Sequence, residues 1–378
     1  MMRLAIVGTG GMADYQAKKF TENEKCVITA CADRKADHAL AFARRFNIPY
    51  HCDAIRTLLD HGGFDAATCS VIDSQHARIC EAILERGLPV FCEKPLARSL
   101  AECELLAKLA AETSVPAMIN FSKRNAPALH VLKAVLDSCE LGTIESVEAS
   151  YLQDWVASSR WGDWRNAPRW KWRLLPAEST SGTAGDLGSH LVDALLFLFG
   201  SISAEKPGEG LSLSEAMDAG LLPGETLATE FIDEVAAPPL VEFTARASLP
   251  GDIPLLLRTS WIEGGAADDF TIRIRGSKGL ALLDLKKSRA SIEIRPVGLI
   301  GSGDRNGASA PSITRDGPAI SSTYERFMQL TEAHIAGSRR AQVDADAAVD
   351  AAPDYPTFEQ GLKVMRVLDS LIPGGLPK

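Results

Sequence analysis

Long apolar stretches and blocks of like charge are both missing from the sequence. No segment approaches the roughly 18 consecutive apolar residues that a membrane-spanning helix requires. The apolar run near the N-terminus stops at Val7, which is too short for a signal peptide. No five residues of the same charge follow one another, so the sequence has neither a basic nor an acidic tail. We therefore expect a cytoplasmic protein with no membrane partner.

Cysteine does not occur after residue 139. All eight cysteines lie between Cys26 and Cys139, and they form neither a Cys-x-x-Cys pair nor a zinc-like spacing. This pattern predicts no metal site and favours reduced, mostly buried thiols in a reducing compartment. Because cysteine is confined to one part of the chain, the composition also suggests two units of different character.

An excess of positive charge is lacking as well. The chain carries 40 Lys and Arg against 49 Asp and Glu, which gives a formal net charge of −9. This balance argues against a nucleic-acid partner, because neutralising phosphates requires clustered basic residues. The length of 378 residues predicts two domains. The hydrophobic fraction of 46% is ordinary for globular domains with full cores.

Short apolar runs alternate with helical stretches up to about residue 122. Strands that alternate with helices of about 10–15 residues predict right-handed crossovers and a doubly wound parallel sheet. We therefore predict a first domain over residues 1–122. The predicted strands are 3–7, 27–32, 66–72, 89–92 and 117–121, and the predicted helices are a stretch ending near Phe20, then 36–46, 76–86 and 99–113.

The rest of the chain has many strand-like segments and few helices. Such a run predicts an α+β domain with a large, open, mainly antiparallel sheet, which we place at residues 123–378. Residues 203–230 are interpreted as a surface insertion and 300–318 as a mobile loop. The predicted strands are 144–152, 240–247, 255–262, 270–275, 280–284 and 291–295, with helices at 185–199 and 357–371, the last expected to pack back near the first domain.

A glycine-rich hexapeptide follows the first predicted strand and opens a helix. In a dinucleotide site of the Rossmann type, the first glycine allows the tight turn and the second lets the backbone approach the pyrophosphate. The small third residue lets the helix pack on the strand, and the helix N-terminus holds the phosphates. A glycine turn without a ligand is the alternative. The residues of this predicted site are Gly8, Gly10, Gly11, Met12 and Ala13.

Asp33 ends the second predicted strand, 25 residues after Gly8. A carboxylate there can accept hydrogen bonds from the adenosine ribose hydroxyls, which favours NAD over NADP. The adjacent Arg34 and Lys35 could instead hold a 2′-phosphate, so NADP stays possible. An aspartate that merely caps the next helix is the alternative.

The tripeptide Glu93-Lys94-Pro95 follows the predicted strand 89–92 directly. It therefore lies at the carboxyl edge of the sheet, where doubly wound folds place their ligands. A lysine at this edge can reach both a nicotinamide and a substrate oxygen. By itself the tripeptide would be interpreted as a surface turn.

Asp186 and His190 are four residues apart, which places both on one face of a helix. The intervening Gly188 leaves space for a bound molecule. A histidine here can exchange a hydroxyl proton during hydride transfer. Asp186 can bind another hydroxyl or orient the imidazole, and Asp193, about one turn further on, could also orient it. The alternatives are a capped structural helix and a metal site, for which further ligands are missing.

Five of the six tryptophans fall in one short segment. Aromatic faces pack against the C–H faces of sugar rings, and the indole N–H offers a donor. Interleaved arginines could also bind nucleic acid, but the acidic balance argues against it. A folded loop or a subunit interface is the other alternative. The predicted substrate contacts are Trp161, Trp164, Trp170, Trp172, Arg173 and Asp193.

These motifs together resemble the glucose–fructose oxidoreductase, inositol dehydrogenase and rhizopine-catabolism family, known as Gfo/Idh/MocA. The resemblance covers nearly the whole chain, and the combination of Glu-Lys-Pro with Asp-x-Gly-x-His is highly specific. It implies a two-domain fold, a catalytic group and assembly as a homo-dimer or homo-tetramer through the C-terminal sheet. The catalytic group implied in this way is Lys94, Asp186 and His190.

The resemblance further implies an NAD(P)-dependent dehydrogenase that acts on a secondary hydroxyl of a sugar, inositol or related polyol. The family's usual Thr-Pro-Asn after the fourth strand is replaced here by Val71-Ile72-Asp73 before His76. The resemblance implies cofactor contacts for five residues, namely Arg34, Asp73, His76, Glu93 and Lys94. The replaced tripeptide makes this implication weaker for Asp73 and His76 than for the other three. The rival hypotheses are a non-catalytic sugar-sensing regulator and an NAD-using glycosidase.

Overall fold

The computed structural model describes residues 1–22, 24–158, 160–165, 167–222, 239–296, 312–340 and 355–377. The chain divides into two compact units. The first comprises residues 1–121 and 321–365 together with Pro377, and the second comprises 122–320 and 366–376. The domain boundary after residue 122 stays a prediction, but the described residues between 321 and 365 group with the first unit and not with the second. Among the described helices, none is long and apolar enough to cross a membrane.

The first unit contains a six-stranded parallel sheet with the order β3-β2-β1-β4-β5-β6. Strands β1, β2, β4, β5 and β6 are mostly apolar and buried, as expected for a parallel sheet covered on both faces, whereas the edge strand β3 has no buried residue. The strand order reverses between β1 and β4, and doubly wound folds bind their ligands at such a switch point. The strands are β1 Met2–Val7, β2 Cys26–Ala32, β3 Tyr50–Cys52, β4 Ala66–Cys69, β5 Val90–Cys92 and β6 Ala117–Ile119.

Twelve α-helices occur in the described residues. The amphipathic pattern that predicts a helix at 36–46 gives a helix with those bounds, which buries Ala39, Phe42 and Ala43 and ends at Asn47 in the left-handed conformation. In chain order the helices are α1 Gly11–Thr21, α2 Ala36–Phe46, α3 Ile55–His61, α4 His76–Glu85, α5 Leu100–Thr113, α6 Pro127–Asp137, α7 Pro168–Lys171, α8 Thr183–Asp186, α9 Gly188–Phe199, α10 Leu213–Asp218, α11 Thr323–Arg340 and α12 Phe358–Leu371.

The core of the first unit includes a cluster of aromatic rings from distant parts of the chain. Phe20 of α1 lies edge-to-face against Phe91 of β5, with ring centroids 5.5 Å apart. Tyr324 and Phe327 of α11 pack on the same rings at 5.0–6.1 Å. This packing explains why a segment more than 200 residues further along the chain belongs to the first unit.

The second unit contains a nine-stranded sheet with the order β15-β14-β13-β12-β7-β11-β10-β8, and β9 also pairs with β10. The pairing of β7 with β11 is parallel, and the other pairings are antiparallel. The mainly antiparallel sheet predicted from the sequence is therefore confirmed. The strands are β7 Ile144–Leu152, β8 Ser203–Ala204, β9 Glu209–Ser212, β10 Leu240–Leu249, β11 Ile253–Ser260, β12 Asp269–Gly276, β13 Gly279–Asp284, β14 Ser291–Pro296 and β15 Ile313–Asp316.

Two segments interpreted as irregular surface structure are partly regular. The start of the predicted insertion 203–230 supplies β8, β9 and α10, while residues 223–230 lie outside the described residues. The predicted loop 300–318 supplies β15, which pairs with β14, while residues 300–311 also lie outside them. Both strands of the insertion and β15 are short and largely exposed, so they lack the buried alternation that predicts a strand.

Candidate active site

The glycine loop between β1 and α1 has the properties that a pyrophosphate requires. Gly8 has a positive φ of +86°, and a Cβ there would lie 2.5 Å from the carbonyl oxygen of Ser70. At Gly10 and Gly11 a Cβ would meet no atom within 4 Å, so the backbone is open to an approaching group. Gly10 caps α1 without a side chain of its own, so it leaves first-turn amides available to a phosphate.

Asp33, the residue directly after β2, holds the glycine loop through hydrogen bonds. Its Oδ2 accepts hydrogen bonds from the backbone nitrogen and the hydroxyl of Thr9 at 2.9 and 2.8 Å. Its Oδ1 accepts from the backbone nitrogen of Lys35 at 3.0 Å. The cap residue of α2 is Lys35, so Asp33 is not the helix cap that the alternative interpretation assumed. The carboxylate is half-buried, and the neighbouring Arg34 is exposed.

Glu93 is a buried carboxylate held by two amide side chains. Its Oε1 accepts hydrogen bonds from Nε2 of Gln16 at 2.6 Å and from Nδ2 of Asn120 at 2.8 Å. Asn120 in turn donates to the hydroxyl of Tyr324 and accepts from that of Thr323. The network fixes the backbone from which Lys94 projects, so the geometry favours an anchoring role for Glu93. Its predicted contact with the cofactor stays a prediction.

His76 also holds the turn that carries Lys94, through a contact with the residue that follows it. Its Nδ1 lies 2.7 Å from the carbonyl oxygen of Pro95, and its Nε2 lies 3.1 Å from that of Val71. Both carbonyl oxygens can only accept hydrogen bonds. For both contacts to be hydrogen bonds, each ring nitrogen must carry a hydrogen, which is the imidazolium form. Burial opposes this charge, but Cys69 and Asp73 outweigh it and raise the pKa of His76. Cofactor contacts by Asp73 and His76 stay predictions.

Three cysteines that are far apart in sequence meet in the first unit. The sulfur atoms of Cys69, Cys80 and Cys92 lie within 4.8 Å of one another, and all three side chains are buried. They lie on β4, α4 and β5, so no short sequence spacing could have revealed them. Such a group could hold a soft metal ion, and the expectation of no metal site stays a prediction.

Asp186 and His190 lie on successive helices of the second unit. Asp186 ends α8 and His190 lies in the first turn of α9, with Leu187 between the helices still in a helical conformation. His190 is 6% exposed, and the ring of Tyr151 faces it edge-on at 5.9 Å between centroids. A Cβ on Gly188 would contact Leu368 at 3.4 Å. This is an ordinary contact distance, and the expectation that Gly188 leaves space for a bound molecule stays a prediction.

Asp193 is engaged by a partner that the sequence does not reveal. Arg124 donates from Nη2 to Oδ1 at 2.5 Å and from Nε to Oδ2 at 3.1 Å. The side chains of Arg124 and Asp193 are 7% and 1% exposed, so this is a buried ion pair. The arrangement favours a structural role for Asp193. Its predicted roles in substrate binding and in orienting His190 stay predictions.

The tryptophan segment divides into buried and half-buried rings. Trp164 is 2% exposed and donates from Nε1 to the carbonyl oxygen of Val156 at 3.1 Å, which makes it part of the core. Trp161 and Trp170 are half-buried and stack at 5.7 Å. Among the four predicted sugar-facing rings, Trp161, Trp170 and Trp172 keep accessible surface. All four substrate contacts stay predictions.

Arg173 links the tryptophan segment to Asp186. Its guanidinium lies 4.5 Å from the ring centroid of Trp172 and 5.2 Å from that of Trp170. Its Nε is 3.8 Å from Oδ2 of Asp186, which is a loose ion pair. The cation therefore lies beside the carboxylate of Asp186, and the predicted contact of Arg173 with a substrate stays a prediction.

A doubly wound parallel sheet with an open glycine loop at the start of α1 defines a dinucleotide-binding protein. Residues 2–121 match the family model described as "Oxidoreductase family, NAD-binding Rossmann fold". Residues 129–282 match the model of the GFO/IDH/MocA C-terminal domain. The chain belongs to the Gfo/Idh/MocA oxidoreductase family, which confirms the resemblance found in the sequence, and its first domain is an NAD-binding Rossmann fold.

Curated relatives include dehydrogenases of sugars. A levoglucosan dehydrogenase from Pseudarthrobacter phenanthrenivorans is 30% identical over 173 residues, covering 46% of this chain and 43% of the relative. A glucose-6-phosphate 3-dehydrogenase from Bacillus subtilis is 28% identical over 202 residues, covering 53% of this chain and 55% of the relative. The chain thus spans about half the length of these relatives.

Solved structures share the fold over nearly the whole chain. Levoglucosan dehydrogenase in complex with NADH and levoglucosan has a TM-score of 0.71 at 20% identity, covering 98% of this chain and 96% of that one. An inositol dehydrogenase homolog from Azotobacter vinelandii, complexed with NAD+, has a TM-score of 0.74 at 17% identity, with coverages of 98% and 94%. At such identities the likeness establishes the fold.

Proposed function

We propose that this protein is an NAD(P)-dependent dehydrogenase or reductase that acts on a secondary hydroxyl of a sugar, inositol or related polyol. The observation that carries the proposal is the pair of Asp186 and buried His190 on α8 and α9, in a chain whose other unit is an NAD-binding fold. The names of the curated relatives support the substrate class, since they include dehydrogenases of levoglucosan and scyllo-inositol.

Each of the proposed catalytic residues has a separate role in the oxidation. His190 accepts the proton of the substrate hydroxyl as general base, and Lys94 stabilises the negative charge that develops on that oxygen. Asp186 binds a neighbouring hydroxyl or positions His190. The bound nicotinamide supplies the acceptor for the hydride that leaves the same carbon. In the reverse direction His190 returns the proton to the carbonyl oxygen.

The proposal also covers the cellular location of the protein and its oligomeric state. We infer a cytoplasmic enzyme that forms a homo-dimer or homo-tetramer through the nine-stranded sheet, without a nucleic-acid partner. Strands β7 and β12 alternate buried residues with half-buried or exposed ones, which supports an accessible sheet face in the second unit. The net charge of −9 supports the absence of nucleic-acid binding.

A turnover screen tests the activity directly. The protein is incubated with a panel of aldoses, anhydrosugars, inositols and sugar phosphates, each with NAD+ and with NADP+, and reduction is followed at the nicotinamide absorbance band. We expect at least one polyol to be oxidised. Calorimetry that detects sugar binding with no turnover on any member would point to a sensing regulator instead. Release of free sugar from a glycoside would point to the glycosidase.

The cofactor preference depends on Asp33. We expect wild-type kcat/KM to favour NAD, and Asp33→Asn to reduce the NAD-to-NADP ratio about tenfold, the effect of one hydrogen bond to a charged group. The amide keeps an acceptor for Thr9 while it removes the negative charge. Asp60→Asn, which removes a surface carboxylate of α3, should leave the ratio unchanged. A tenfold wild-type preference for NADP would mean that Arg34 and Lys35 decide the selection.

A further inference from the structure

We propose that Tyr151, fixed by Asp268 and Lys123, is a positioning residue for the imidazole of His190. The inference rests on the proposed function in that His190 is taken as the proton acceptor. The residues come from separate parts of the second unit: Tyr151 from β7, Asp268 from the residue before β12, and Lys123 from the turn at residues 122–125.

The hydroxyl end of Tyr151 is held by a charged pair. Its hydroxyl donates to Oδ1 of Asp268 in a short hydrogen bond, and Nε2 of Gln153 donates to the same oxygen at 3.2 Å. The other oxygen, Oδ2, accepts from Nζ of Lys123 at 2.8 Å. Both oxygens of the carboxylate are therefore engaged, so the acceptor of the tyrosine hydroxyl has a fixed position.

The ring of Tyr151 is held as well. Nζ of Lys123 lies 4.8 Å from its centroid, within the range of a cation–π contact. Phe270 is its directly paired neighbour across β7 and β12, and its ring packs edge-on at 5.4 Å. Because contacts at both the hydroxyl and the ring constrain it, the 5%-exposed side chain is held in this orientation.

The fixed ring of Tyr151 packs against one side of the imidazole of His190, and we call this ring surface the wall. The two rings meet at an interplanar angle of 64°, an edge-to-face arrangement that aromatic pairs prefer. A wall at this place restricts rotation of the imidazole about its Cβ–Cγ bond. The ring nitrogens are thereby held in one direction, which proton transfer requires because its efficiency depends on hydrogen-bond geometry.

The charge states of the cluster support a positioning role and argue against proton transfer by Tyr151 itself. Burial, reinforced by the carboxylate of Asp268, raises the pKa of Tyr151 far above its usual value, so the phenol stays neutral. Burial opposes the charge on Asp268, but Lys123 outweighs it and lowers the pKa of that carboxyl. Around neutral pH the cluster thus stays a neutral phenol beside an ion pair.

The test compares two substitutions at Tyr151 with a matched control. Tyr151→Leu removes the wall, Tyr151→Phe keeps it and removes only the hydroxyl, and Phe243→Leu removes a fully buried ring from β10 of the same sheet. Side-chain NMR of ¹⁵N-histidine-labelled protein, with His190 assigned by the loss of its signals in His190→Gln, reports the imidazole without any substrate.

We expect one sharp set of His190 signals in wild type and Phe243→Leu, and broadened or multiple signals in Tyr151→Leu. Tyr151→Phe, which keeps the ring but loses its hydrogen bond to Asp268, should show a smaller broadening. With a working substrate, Tyr151→Leu should lower kcat by about tenfold, comparable to one aromatic pair contact, with KM little changed. Tyr151→Phe should recover most of that loss.

The two readouts separate the positioning role from the proposed function. Unchanged His190 signals in Tyr151→Leu would overturn the positioning role, whether or not the enzyme turns over. Broadened signals in a protein without dehydrogenase activity would leave the positioning role in place and remove the proposed function. Broadening that appears equally in Phe243→Leu would show a general loss of packing and would also overturn the specific role of Tyr151.

Discussion

Replacing His190 with alanine is expected to lower kcat by about 10²–10⁴-fold, the usual contribution of a general acid–base group, while the affinity for NAD changes little. The hydroxyl proton then has no side-chain acceptor during hydride transfer, but the glycine loop and Asp33, which we propose to bind the dinucleotide, belong to the other unit. Single-turnover measurements separate hydride transfer from product release, and fluorescence titration gives the dissociation constant for NAD.

Lys94→Ala is expected to cost at least as much in kcat, because it removes the cation that we propose to stabilise the charge developing on the substrate oxygen. It should also weaken nicotinamide binding, since Lys94 projects from the turn that Glu93 and His76 anchor. His38→Ala, an exposed histidine of α2, is the control and should behave as wild type. Hydride transfer at nearly the wild-type rate in His190→Ala would remove His190 as proton acceptor and leave Lys94 as the leading candidate.

The sequence predicts the first unit well because its signals are local. An apolar run ended by glycine predicts β1 and the turn at Gly8, and the helical period at 36–46 predicts α2. Three elements of this unit were missed. Strand β3 has only three residues, α3 has only seven, and α11 also has no counterpart in the predicted elements. That α11 contributes Tyr324 and Phe327 to the core depends on packing, which no local pattern encodes.

The candidate site shows the same division between local and long-range information. The positions of Lys94 after β5 and of Asp186 and His190 on helices follow from short motifs. The residues that hold them do not, because Gln16 and Asn120 reach Glu93, and Tyr151 reaches His190, only through the tertiary fold of each unit. A polar residue placed directly after an apolar strand, as Asn120 is after β6, is the one sequence signal that could have identified a member of this group.

Asp193 illustrates how a distant residue can compete for a side chain that a spacing argument assigns to the site. Helical periodicity places Asp193 one turn after His190, but Arg124, 69 residues away in sequence, binds both of its carboxylate oxygens. The guanidinium also lies 4.6 Å from the ring centroid of Phe197 on the same helix as Asp193. The pair therefore joins the turn before α6 to α9, the helix that carries His190.

Asp193→Ala is accordingly expected to lower the free energy of unfolding by about 3–5 kcal/mol, the cost of leaving one member of a buried ion pair without its partner. Urea denaturation followed by circular dichroism measures the change. The control is Asp137→Ala, which breaks an exposed i,i+4 pair with Lys133 on α6 and should cost less than about 1 kcal/mol.

The double variant Arg124→Met with Asp193→Leu distinguishes charge from packing. It removes both buried charges while it keeps apolar volume, so it should recover much of the stability lost in Asp193→Ala, since an apolar replacement of a buried pair is often neutral. If Asp193 instead binds the substrate, the opposite pattern is expected. In that case Asp193→Ala would raise KM and leave the unfolding midpoint near that of wild type, and the structural role inferred from the Arg124 contacts would be wrong.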